Sequence, residues 1–245
     1  MTSTPAGVDD AVAHVFVDAL DDRCEITGRD GHHLQRVRRL RAGECITAAD
    51  GSGAWRAYDI VAVDAGRLVL VARGDVQIEA APVVELAIGV ALAKGGLDAV
   101  VTQLTEAGVA RVIPVETART VVRWDGPKEA TAVARLRVAA REAAMQSRRA
   151  RIPQIERLAR FADVAGRPGL ILADRTGCRV NDLRLPDSRV WTVLVGPEGG
   201  FADEEREQLA GRPRLALAEH VLRAATAPVA AAVLLGDRIA QQGHA

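Results

Sequence analysis

The sequence predicts an α/β protein of two domains, a small β-rich one followed by a larger one built on a parallel sheet. Three observations carry that expectation. The first is the junction at 193–201, where Val193-Leu194-Val195 runs into Gly196-Pro197-Glu198-Gly199-Gly200-Phe201. An apolar β-branched run reads as a buried strand, and Gly-Pro and Gly-Gly force a sharply turning loop. Asp203-Glu204-Glu205 then suits the first turn of a helix, where carboxylates meet unpaired N–H groups. Strand, glycine loop and helix in that order build a ligand site at the carboxyl edge of an open α/β sheet. The second observation is that strand-like and helix-like segments alternate from residue 83 onward, which implies a parallel sheet with helices on both faces. The third is that residues 12–74 read instead as short strands separated by glycine turns.

In chain order, strands are expected at 14–17, 24–27, 44–47, 57–63 and 67–71, with one helix around 32–40. Asp50-Gly51-Ser52-Gly53 and Ala65-Gly66 mark the turns. This is a small β-barrel pattern over residues 1–74, and residues 75–82 read as the linker to a domain at 83–245. Residues 83–92 are almost continuously apolar, as in a parallel strand covered on both faces. Leu97, Val100, Val101 and Leu104 recur at helical spacing, and Gly108 sits where that helix stops. A strand at 109–115 follows, then a long helix over 127–148 with Pro127 in its first turn. Further strands are expected at 170–173, 190–195 and 215–217, before an alanine-rich helix that ends near Gln242.

Composition narrows the function classes. The chain has 245 residues, 49% of them apolar, enough for real cores in one large or two modest domains. No apolar run approaches a membrane span, and Asp9 and Asp10 stand where a leader would be basic. A soluble, cytoplasmic protein without a membrane partner is expected. Cys24, Cys45 and Cys178 are far apart with no C-x-x-C pair, which argues against a disulfide framework or a cysteine zinc site. His32 and His33 belong to no ligand cluster, so no metal is expected. The formal net charge is zero, yet acids gather early (Asp9, Asp10, Asp18, Asp21, Asp22) while arginines cluster. Arg36, Arg38, Arg39 and Arg41 form one group, and Arg135, Arg137, Arg141, Arg148, Arg149 and Arg151 another. Local basic patches bind phosphate despite overall neutrality.

The first βα unit lacks a G-x-G-x-x-G, with only Gly95-Gly96 in its place, and there is no Walker A sequence, so a Rossmann or P-loop site is disfavoured. Glu142, Gln146 and Arg149 fall at i, i+4 and i+7 on one helix face, and spacing alone favours a solvated face with an Arg–Glu pair. Arg223 lies between an apolar strand end and a helix start. It reads either as a functional charge or as a buried partner of Glu198 or Glu142. Thr226 suits an N-cap of the final helix.

The Gly196–Phe201 loop and Val221-Leu222-Arg223-Ala224-Ala225-Thr226-Ala227-Pro228 together resemble the signature of the SPOUT methyltransferase superfamily, and within it the bacterial 16S ribosomal RNA (uracil-N3)-methyltransferase family called RsmE. The resemblance extends to His33-Leu34 through Glu44, Asp50-Gly51-Ser52-Gly53, Thr105-Glu106-Ala107-Gly108-Val109, and Glu142 through Ser147 with Arg149 and Ile152-Pro153. It implies an N-terminal PUA-like RNA-binding β-barrel and a C-terminal trefoil-knot methyltransferase domain. The implied cofactor is S-adenosylmethionine, held by three loops after strands ending at Ala173, Val195 and Leu217. Leu172, Ala173, Leu194, Val195, Leu217 and Leu222 are its expected walls. Gly196, Pro197, Glu198, Gly199 and Gly200 form the cradle, and Thr226 is a further contact. A β-branched side chain at Gly199 is expected to fill the ligand's space.

The implied reaction is methylation of the N3 of one uridine in helix 44 of 16S ribosomal RNA, in the small subunit, by a homodimer. Catalytic roles fall to Arg223, Glu198 and Glu142, and RNA contacts to His33, Arg36, Arg38, Arg39, Arg41 and Arg149. Two rival readings stand beside it: a SPOUT enzyme for a ribose 2′-hydroxyl or another base, and a non-catalytic ribosome assembly factor. The chain departs from the family pattern at Ala225, where a glutamate is usual, and at Ala218, His220 and Gln103.

Overall fold

The computed structural model describes residues 10–36 and 38–242. Expectations that fall on residues 1–9, 37 and 243–245, Asp9 among them, lie outside the described residues. The chain forms two compact units, one running to Ala81 and including Ala144–Ile152, the other Pro82–Ala143 with Pro153–Ala245.

The first unit contains β1 (Ala13–Phe16), β2 (Arg23–Ile26), α1 (Gly28–Arg36), β3 (Cys45–Ala49), β4 (Ala54–Asp64), β5 (Arg67–Ala72) and β6 (Gln77–Ile78). The strands form one sheet in the order β1-β3-β4-β5-β2, with β6 on β4. Only the β1–β3 pairing is parallel. Ala13 and Val15 of β1 share one apolar core with Ile26 of β2, so strands at opposite ends of the order face the same interior, as in a barrel. Turn chemistry sets the register. Asp50 Oδ1 accepts the backbone N–H groups of Ser52, Gly53 and Ala54 at 2.7, 3.1 and 3.1 Å, closing the β3–β4 connection. Ala65 and Gly66 both have positive φ (45° and 84°), the geometry of a two-residue hairpin between β4 and β5.

The second unit contains β7 (Glu85–Ala91), α2 (Asp98–Glu106), β8 (Arg111–Glu116), α3 (Gly126–Gln146), β9 (Gln154–Ile155), β10 (Ala159–Arg160), α4 (Phe161–Ala165), β11 (Leu170–Cys178), β12 (Val190–Val195), α5 (Asp203–Gln208), β13 (Arg214–Leu215) and α6 (Thr226–Gln242). The last residues of α3 belong to the first unit. All seven strands pair in parallel, in the order β10-β8-β7-β12-β11-β13 with β9 on β8. Ala87, Ile113, Leu172 and Leu194 on one face pack with Phe161 and Val164 of α4 and with Leu209 after α5. The alternate residues of β7 point the other way by the period of two, where α6 packs. Burial on both faces explains why β7 reads as an unbroken apolar run.

Several expectations shift. The first helix lies at Gly28–Arg36 rather than 32–40, and Gly31 within it packs directly on the Gly66 carbonyl, where a Cβ would clash with the oxygen. Past it, Arg39 turns the backbone at φ 56° and buries Leu40 in the core. Two residues of the expected linker form β6. The last strand covers Arg214–Leu215 and leaves Leu217 in the following loop. Strand β11 runs five residues past Ala173.

Candidate active site

Parallel strands point their carboxyl ends the same way, so the loops leaving β11, β12 and β13 meet at one edge of the sheet. There they line a cleft of about 750 Å³. The β11 wall is Leu172 through Thr176, the β12 wall is Val195 through Glu198 with Gly200 and Phe201, and Leu217, Ala218 and residues 220–224 close the third side. Arg206 and Leu209, Arg214 of β13 and Ala227 of α6 complete it.

Close packing dictates each loop. At Gly196 a Cβ would lie 2.8 Å from the Phe201 ring, so only glycine lets the chain turn off β12 beneath that ring. Gly200 N–H donates to the Pro197 carbonyl at 2.8 Å, and Gly200 has φ 67°, the left-handed region that glycine accepts without strain. Glu205 anchors the helix that follows. It is buried, and its carboxylate accepts the N–H groups of Ala202 at 2.9 Å and Ala118 at 2.7 Å, which ties α5 to the loop after β8. From that loop Arg119 donates to the Gly199 carbonyl at 2.9 Å.

On the opposite wall, Ala173 and Cys178 both pair with Leu215, so residues 174–177 bulge out of β11. Gly177 permits the bulge by lying against the Arg214 carbonyl, where a Cβ would be 2.5 Å away. The bulge carries Asp174, Arg175 and Thr176 to the cleft. Burial pushes the Asp174 carboxyl up, but hydrogen bonds from the Thr176 N–H and hydroxyl (2.8 and 2.9 Å) and the charges of Arg214 and Arg175 outweigh it. The net direction is down, and Asp174 stays ionised.

An RNA methyltransferase domain family matches residues 79–236, and an RNA methyltransferase PUA domain family matches residues 26–72. The ribosomal RNA small subunit methyltransferase E of Mycobacterium bovis is 35% identical, with 90% of this chain and 88% of that protein covered. The chain belongs to the ribosomal RNA small subunit methyltransferase E family. The Bacillus subtilis methyltransferase E is 27% identical over 83% of this chain and 86% of its own length. Among solved structures, that of methyltransferase E from Neisseria gonorrhoeae bound to S-adenosyl methionine superposes with a TM-score of 0.79 at 24% identity, covering 91% of this chain and 96% of the other. A Legionella pneumophila methyltransferase in complex with bound SAM gives 0.78 at 22% identity, covering 94% and 97%. These two likenesses show a shared α/β fold, while the family matches show the methyltransferase domain and the N-terminal PUA domain.

The residues read from sequence divide. Leu172, Ala173, Val195, Gly196, Pro197, Glu198, Gly200, Leu217, Leu222 and Arg223 all line the cleft. Leu194 is fully buried in the core beneath it. Gly199 is exposed, its φ lies outside the left-handed region, and a Cβ there would stand 3.9 Å from Arg119, an ordinary contact. The left-handed backbone that strains a side chain is therefore at Gly200, with φ 67°, and not at Gly199. Thr226 begins α6, its N–H bonded to the Arg223 carbonyl at 2.9 Å, and it is not part of the lining. Glu142 is exposed on α3 and does not line the cleft. Arg223 is exposed and pairs with no carboxylate among the described residues, which removes its reading as a buried ion-pair partner. His33, Arg36, Arg38, Arg39 and Arg41 are exposed on the first unit. Arg149, in the same unit, is half-buried, and burial lowers its pKa. Asp174, Arg175, Thr176, Arg206 and Arg214 were missed. The signal for the first three is the polar break Asp174-Arg175-Thr176-Gly177 directly after an apolar strand.

Proposed function

We propose that this chain methylates the N3 of one uridine in helix 44 of 16S ribosomal RNA, using S-adenosylmethionine, and that it does so in the small subunit as a homodimer in the cytoplasm. The supporting observation is the convergence of the three loops after β11, β12 and β13 on one cleft. A volume of about 750 Å³ suits a nucleoside-sized ligand. Leu172, Val195, Leu217 and Leu222 offer apolar walls for an adenine ring, and Asp174 supplies negative charge for a cationic ligand. The residues present fit S-adenosylmethionine. When bound, it supplies an electrophilic methyl carbon on a sulfonium.

The chain's own residues supply the rest. Uracil N3 holds its proton well above neutral pH, so charge must be stabilised as the proton leaves. On this reading Arg223, which lines the cleft, presents a planar, permanently charged fork to the carbonyl oxygens on which negative charge grows. An arginine cannot take the proton. Glu198 is the cleft carboxylate with no hydrogen-bond partner among the described residues, and the proposal assigns the proton to it. A base edge paired in RNA is out of reach, so the nucleotide is splayed out to enter. The exposed His33 and Arg36–Arg41 group gives the PUA unit phosphate contacts, with Arg149 a further contact of that unit. The trefoil crossing of the resemblance belongs to the same proposal. The test is mass spectrometry of ribosomal RNA nucleosides from a deletion strain, with and without the gene restored. Loss and recovery of 3-methyluridine is expected. Loss of a 2′-O-methyl nucleoside or another base product would move the reading to the other SPOUT chemistry, and no change at all would leave the assembly-factor reading.

A further inference from the structure

The mouth of the cleft carries more positive charge than its proposed cofactor can use. We propose that Arg175 and Arg206 hold backbone phosphates flanking the nucleotide that enters the cleft, so that the methyltransferase unit itself grips the RNA strand. Four arginines line the cleft against two acids, Asp174 and Glu198. A run of charge along one helix is ordinarily a solvated face. Here Arg175 comes from the β11 bulge, Arg206 from α5, Arg214 from β13 and Arg223 from the loop before α6, four separate segments converging on one opening. S-adenosylmethionine has a sulfonium, an ammonium and one carboxylate, so its net charge is positive and a surplus of guanidinium repels it. A polyanion is the complementary occupant, and on the methyltransferase reading, on which this inference rests, that polyanion is RNA.

The four arginines are not equally available. Arg214 is engaged by Asp174 and Thr176, both at 3.5 Å. Arg223 is assigned to the base. Arg175 is exposed, and beyond its electrostatic pull on Asp174 its side chain makes no hydrogen bond or close ion pair among the described residues. Arg206 has one, Asp203 at 3.4 Å three residues earlier, with the two side chains 59% and 82% exposed. An exposed pair of that kind contributes little, so a phosphate displaces it readily. Each guanidinium presents a flat fork that matches two phosphate oxygens.

The experiment uses the full chain with Arg175→Ala and Arg206→Ala combined, and small ribosomal subunits purified from a strain lacking the gene as the probe. Affinity is measured from about 50 to about 200 mM salt. Each phosphate contact contributes roughly 0.7–0.9 to the slope of log K against log salt, so the double variant should lose about 1.4–1.8. The Arg175→Lys, Arg206→Lys protein should recover most of that slope, since a lysine also displaces counterions. S-adenosylmethionine affinity by calorimetry should not fall, and the melting temperature should match the unaltered protein. A full slope in the alanine variant overturns the proposal. So does a fall in cofactor affinity by the same factor as RNA affinity, which would make these arginines part of the cofactor pocket. Binding is read without turnover. Absence of methyl transfer by the unaltered protein would therefore sink the methyltransferase reading while the slopes still decide this one.

Discussion

At the scale of single residues, exposure and backbone angle separate function from structure. Arg223 has no ion pair to lose among the described residues, so Arg223→Ala should leave the melting temperature unchanged. If it stabilises charge on uracil, methylation should fall by about 100-fold or more, the scale of one preorganised donor. Arg223→Lys should rescue poorly, because an ammonium lacks the planar fork. Rate measurements beside thermal melts decide it, and a folded alanine variant with normal turnover would rule out the role. The glycine loop gives a sharper contrast. Gly200 is at φ 67°, where an L-residue costs roughly 1–2 kcal/mol and a β-branched one more. Gly200→Val should weaken S-adenosylmethionine binding by about tenfold or more, equivalent to about 1.4 kcal/mol. Gly199→Val, at an exposed position without positive φ, should change it little. Equal calorimetric losses for both would show that the cofactor reaches Gly199 after all.

At the scale of elements, what was legible in the sequence follows from the range of the forces involved. β7 and β12 could be read because burial on both faces leaves an unbroken apolar run, and α3 because its length, Gly126–Gln146, spans many turns. β9 and β10 have two residues each, too short for any period. The bulge that carries Asp174 and Arg175 to the cleft depends on Gly177 meeting Arg214 across the sheet, a contact with no local trace. Which of two adjacent glycines takes positive φ is likewise settled by the Gly200–Pro197 bond that closes the turn. Buried histidines escape sequence reading for the same reason. His14 of β1 bonds Thr47 Oγ1 on β3 at 2.7 Å through Nδ1 and the Arg149 carbonyl at 3.1 Å through Nε2, all within the first unit. A carbonyl only accepts, so Nε2 carries the proton and Nδ1 accepts from the threonine. Burial, opposed by the bond to Arg149 and helped by the Arg148 charge, lowers its pKa to about 4. An unfolded imidazole takes up a proton as pH falls through 6.5, and the folded one resists until about 4. Stability is therefore full above pH 6.5 and declines as pH drops through that window, by about 2 kcal/mol at pH 5. Urea unfolding at several pH values should show this slope, and His14→Gln should flatten it. A slope that persists in the glutamine variant would place the titrating group elsewhere.

At the scale of the whole molecule, the proposed homodimer has a physical motive in the apolar surface of the second unit. Val221, on the rim of the cleft, is 73% exposed, and Val233 on α6 is 57% exposed, although its helix buries Ala231, Ala232 and Leu235. Val138 on α3 is also exposed, at 46%. Single exposed valines are ordinary, but one at the mouth of a binding cleft exposes apolar area just where a ligand is to be held. Covering it with a second copy would bury that area and narrow the cleft at once. Sedimentation or light scattering should give a mass near twice 26.0 kDa. Val221→Asp combined with Val233→Glu should shift the population toward 26.0 kDa and weaken S-adenosylmethionine binding with it, because a half-covered cleft leaves the ligand wetter. The two readouts need to move together. A variant that becomes monomeric and binds the cofactor as tightly as before would separate assembly from the site, and an unaltered protein that is monomeric while it methylates RNA would remove the dimer from the proposal altogether.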